Sequence, residues 1–134
     1  MTASAMRYTI DVHPGYIKAE MRERETGEET RTFVEAILAA LRQHKRARLL
    51  ISVRASRPVF KVEQYGLSDA LVQVAGTGLR VAFIADSKEV AMSQQYIALL
   101  GQQRGLDFKT FDDEHAAVAW LLRQAAPAPR DGGG

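Results

Sequence analysis

The chain has 134 residues, 18 Lys and Arg against 16 Asp and Glu, and no Cys. That length suits one domain with a self-sufficient core, and the missing Cys excludes disulfides, thiolate metal centres and cysteine nucleophiles. With acids and bases nearly equal, the pI of 9.1 reflects a surplus of two charges held until Lys titrates, which is no argument for a nucleic-acid partner.

Residues 1–6 carry neither a charged nor an apolar leader pattern and read as a disordered N-terminus. Tyr8 to Val12 alternates apolar and polar, His13-Pro14-Gly15 supplies turn chemistry, and Tyr16 to Met21 alternates again, which predicts a β-hairpin. From Glu28 to Lys45 the residues Phe33, Val34, Ile37, Leu38 and Leu41 make one helical stripe. Acids open that helix and bases close it, as the dipole favours.

Leu49 to Val53 and Val81 to Ala85 are continuous apolar runs of strand length, the pattern of central strands covered on both faces. Between them a helix is expected from Pro58 through Val74. Asp86 or Ser87 caps a further helix over 88–103, with Asp86 and Glu89 spaced as a capping box and Val90, Met92, Tyr96, Ile97, Leu99 and Leu100 as core positions. Leu106 to Phe111 predicts a last strand. Asp112 or Asp113 then caps a helix that sends Ala117, Val118, Trp120, Leu121 and Leu122 to the core. Residues 125–134, with two Pro and three final Gly, read as a disordered tail after a single domain over 7–124.

The order β-β-α-β-α-β-α-β-α predicts an α/β fold, a mixed and mostly parallel sheet with helices packed on it. No apolar run approaches the roughly 20 residues of a membrane span, and the chain is expected to be soluble and cytoplasmic. In such folds the C-terminal ends of the parallel strands form the rim where ligands gather. Here that rim collects residues 25–29, 54–58, 86–88 and 112–114.

The strand Leu49 to Val53, the Val81 to Asp86 strand leading into Ser87, and Phe111-Asp112-Asp113-Glu114 followed by Ala119-Trp120-Leu121 resemble the STAS domains of sulfate transporters and anti-sigma-factor antagonists. They are most similar to the SpoIIAA-like, or STAS-SEC14, branch. That resemblance covers about residues 7–124 and implies a bacterial regulatory module that meets a protein partner. Through its similarity to lipid-binding domains it also implies an alternative, a small apolar or lipid-like ligand in a helix-sheet groove. Antagonist members carry an Asp-Ser-x-Gly segment whose Ser is phosphorylated. The matching place reads Val53-Arg54-Ala55-Ser56-Arg57-Pro58, with a Ser but neither the acid nor the Gly.

Two candidate sites follow. Arg42 to Arg57 holds six bases and no acid, but the strand between divides them. Arg54 and Arg57, with Ser56, Ser87 and Lys88, fall on the rim, where they suit an anion or an acidic partner. Pairing with Glu28, Glu29, Asp112 or Asp113 is the alternative use of the two arginines. Phe60, Tyr65, Met92 and Tyr96 are the candidate groove lining. His13, His44 and His115 are scattered, and Asp112 to Glu114 is explained by capping, so no catalytic residue, metal site or cofactor is expected. Gly76-Thr77-Gly78 precedes a strand and is a turn rather than a phosphate loop. An exposed edge strand would permit a homodimer.

Overall fold

The computed structural model describes residues 7–23, 27–56, 67–74 and 77–123. The hairpin forms as β1 (Arg7–His13) and β2 (Tyr16–Arg22), turning through Pro14 and Gly15. Gly15 stands at φ +87, the left-handed value that the position after Pro takes in a type II turn. The chain continues as α1 (Gly27–His44), β3 (Arg48–Arg54), α2 (Leu67–Val74), β4 (Arg80–Ala85), α3 (Lys88–Gln103), β5 (Asp107–Thr110) and α4 (Glu114–Leu122). The α/β order expected from the sequence is therefore present. Of the helix expected over 58–74, only α2 falls within the described residues, and both chain ends fall outside them.

The five strands lie in the order β1-β2-β3-β4-β5, with β1 antiparallel to β2 and every other pair parallel. Register fixes what each face carries. Ile17, Leu49, Val81 and Phe108 stand abreast across four strands, as do Ala19, Ile51 and Phe83 on the same face. Against these rows pack Phe33, Ile37 and Leu41 of α1, Leu71 of α2, and Val90 and Ala98 of α3. The opposite face presents Leu50, Ala82 and Ile84, which Ala117 and Leu121 of α4 cover. Hence β3 and β4 read as continuous apolar runs, because each is buried from both sides.

Two apolar assignments are corrected. Leu122 is 49% exposed, since a helix lying on a sheet buries one stripe and α4 spends its stripe on Ala117 and Leu121. In α3 the buried positions are Val90, Ser93, Gln94, Ala98 and Gly101, while Met92, Tyr96 and Leu99 face outward.

Candidate functional site

The rim is built by the parallel register of β2 and β3. Glu20 lies opposite Ser52 and Arg22 opposite Arg54, so all four share one face at the strand ends. The Glu20 carboxylate then receives Arg54 Nε at 3.2 Å and Arg22 Nη2 at 3.5 Å. Arg54 thus pairs with an acid of the neighbouring strand, not with Glu28, Glu29, Asp112 or Asp113. Glu20 is a diagonal neighbour of Arg54 on the same pleated face, within reach of its long side chain.

Beyond Arg54 the backbone turns sharply, with Ala55 at φ +47, a left-handed conformation that a residue with a Cβ adopts at a cost. Four hydrogen bonds hold it. The Ala55 amide donates to both Asp86 carboxylate oxygens, at 3.0 and 3.3 Å, and the Arg54 carbonyl accepts from the Glu23 amide at 3.2 Å and the Ser56 hydroxyl at 2.8 Å. Asp86 is therefore the strut between the ends of β3 and β4 and not a helix cap. The cap of α3 is Ser87, whose Oγ accepts from the Val90 amide at 3.2 Å. With Asp86 drawn away to Ala55, the capping box expected from Asp86 and Glu89 is replaced by a Ser cap.

A charge-assisted bond to an exposed strut contributes about 1 kcal/mol. Asp86→Ala is expected to speed hydrogen exchange at the Ala55 amide about fivefold, leaving the amides of β3 unchanged. Equal exchange at Ala55 would show that Asp86 does not hold the turn.

Two acids at the start of α4 are likewise engaged. Asp113 caps α4 by accepting from the Ala116 amide at 2.8 Å, and Glu114 pairs with Lys18 of β2 at 3.0 Å. Among the described residues no group of three His, Cys, Asp or Glu could hold a metal ion. His13 stacks on Tyr16 with ring centroids 4.8 Å apart, far along the sheet from the rim.

Of the candidate rim residues, the structure gathers Arg54, Ser56 and Ser87 around the Asp86 strut, and Lys88 opens α3 in an exposed position. Arg57 lies outside the described residues, as do Phe60 and Tyr65 of the candidate groove. Met92 and Tyr96 do not face the sheet. They are 59% and 41% exposed, and with Leu99 at 49% they form a stripe along the outer side of α3. At about 100° per residue, Lys88, Met92, Tyr96 and Leu99 fall within about 80° of arc. The stripe therefore begins at the rim and runs away from it.

The SpoIIAA-like family model matches residues 16–122, from the first residue of β2 to the last of α4. The chain belongs to the SpoIIAA-like family. No curated protein matches it. Membership of the SpoIIAA-like family suggests a regulatory, protein-interaction module. Among the described residues no helix is long and apolar enough to cross a membrane. Leu99, which the apolar pattern places among the core positions with Met92 and Tyr96, is the member of this stripe absent from the expected groove lining. The signal that separates it is angular: Met92, Tyr96 and Leu99 lie about 180–240° around the helix from Val90.

Proposed function

We propose that this SpoIIAA-like domain is a non-enzymatic regulatory module of the cytoplasm, and that it docks a protein partner on the outer face of α3. The observation that carries this reading is the exposed stripe of Met92, Tyr96 and Leu99 continuing from Lys88. Single exposed apolar residues are ordinary, but three in register on one helix face favour a partner. Lys88 at one end favours a partner with an apolar strip and an acidic residue beside it. Ser56 is not required as a phosphorylation switch here, because its neighbours Arg54 and Ala55 lack the acidic approach of the antagonist segment.

The test is crosslinking capture from the cells that make the protein, comparing the unaltered chain with Met92→Ser/Tyr96→Ser/Leu99→Ser. The expected result is a yield of one dominant partner reduced at least about tenfold, with little change in thermal midpoint, because truncating exposed side chains costs little. A partner captured equally by both chains would place the docking surface elsewhere.

A further inference from the structure

A cavity of about 110 Å³ lies under the three helices of the larger core, between α1, α2 and α3 and the sheet. Its walls are apolar: Phe33 and Ile37 from α1, Leu71 from α2, Val90 from α3, and Ile51 and Phe83 from the sheet are representative. Among the described residues that line it, only Thr30, Ser93 and Gln94 are polar and none is charged. Two of the three are already engaged. The Ser93 hydroxyl donates to the Val90 carbonyl at 3.0 Å, and the Gln94 amide donates to the Ile84 carbonyl at 2.9 Å.

Thr30 is different. It is 6% exposed, and its hydroxyl oxygen is buried without a hydrogen-bond partner. It is the one described residue that both lines this cavity and carries an unsatisfied buried polar atom. Buried hydroxyls are nearly always satisfied, so an unsatisfied one beside a cavity marks where a partner belongs. Water answers that need poorly, because a buried water makes about three hydrogen bonds and, among the described lining residues, Ser93 and Gln94 are the only other polar ones and are already engaged.

We infer that the cavity binds a small neutral amphipathic molecule, an aromatic or alkyl group carrying a single hydroxyl or carbonyl that hydrogen-bonds Thr30. The size sets the class. An apolar cavity of about 150 Å³ accepts benzene, so one of about 110 Å³ takes a body no larger than a single small ring and not an extended acyl chain. Among the described lining residues no charged group is present to offset the desolvation of a carboxylate or ammonium, which favours a neutral ligand. This site is separate from the outer face of α3, and either reading can fail without the other.

The experiment is titration of the full chain with phenol and with benzene, read by methyl chemical shifts of Ile37, Leu71 and Val90. In the unaltered protein phenol is expected to bind at least about fivefold more tightly than benzene, the worth of one net hydrogen bond. Thr30→Val, which keeps the shape and removes the hydroxyl, reduces that preference to within about twofold while benzene affinity is retained. Thr30→Ser keeps the preference, and serves where the valine variant does not fold. The inference is overturned if neither probe moves these methyls, if both bind the unaltered protein equally, or if the preference for phenol survives Thr30→Val.

Discussion

Gly101→Ala is expected to destabilise the protein by about 1 kcal/mol net, the reverse of what helix propensity predicts. In an exposed helix interior the same change gains about 1 kcal/mol, because Ala restricts the unfolded chain and favours helical backbone. Here a Cβ on Gly101 would stand 2.3 Å from Cδ2, 2.6 Å from Cε2 and 2.8 Å from Cγ of Phe108. That ring cannot swing aside. It is 6% exposed and packs edge-on against Phe83 with centroids 5.6 Å apart.

Separating α3 from β5 to make room would strain the tie between them, since the Gly101 carbonyl accepts from the Leu106 amide at 2.9 Å. Overpacking of this kind costs typically 1–3 kcal/mol, which outweighs the propensity gain. Urea denaturation measures the difference. Shrinking the obstacle in Gly101→Ala/Phe108→Leu should cost less than the two single changes summed, as expected for residues in contact. A stabilised Gly101→Ala protein would mean that the helix does not approach the ring so closely.

This glycine also shows where sequence reading stops. Local signals were legible: the dipole-matched ends of α1, the doubly buried runs of β3 and β4, and the oxygen-bearing cap before α3 all follow from residues within one turn or one strand. Which face of α3 is buried was not, because its apolar residues form two stripes and the inner one passes through Ser93, Gln94 and Gly101. Only the packing partner decides between them, and for Gly101 that partner is Phe108. At the rim, the split of the basic segment into two groups was legible from the length of the strand between them. The pairing of Arg54 with Glu20 was not, since it depends on parallel register and no local pattern encodes register between these strands. Thr30 gave no sign at all, because an unsatisfied hydroxyl is a property of the packed state.

Arg80→Met is expected to cost about 3 kcal/mol and to release α4 before the rest of the fold. Arg80 begins β4 with its side chain only 10% exposed. Its Nη1 donates to the carbonyls of Trp120 and Arg123, each at 3.0 Å, and its Nε meets Asp107 at 3.1 Å. The guanidinium carbon also lies 5.0 Å from the centre of the Trp120 ring. These carbonyls end α4, where the Trp120 carbonyl has only the Arg123 amide at 3.3 Å in place of a full helical bond and the helix dipole is negative, so a cation there answers both.

At nine residues α4 is too short to persist without tertiary support. Burial of Ala117 and Leu121 anchors its middle, and Arg80 anchors its end. A Met of similar length keeps the apolar stem and loses the exposed pair with Asp107 together with the two charge-assisted bonds to the α4 carbonyls, each of these two typically worth about 1.5–3 kcal/mol. Arg80→Lys should recover only about 1 kcal/mol, because one ammonium cannot reproduce the planar fork that reaches two carbonyls and a carboxylate together. Asp107→Ala should cost less than about 1 kcal/mol, since its side chain is 59% exposed and water replaces much of what the pair provides. In Arg80→Met, hydrogen exchange should accelerate across α4 while α1 keeps its protection, and the thermal midpoint should fall by about 10 °C. A loss below about 0.5 kcal/mol would mean that apolar burial alone holds α4 to the sheet. If instead α1 and α4 open together, Arg80 supports the whole core and not the end of one helix.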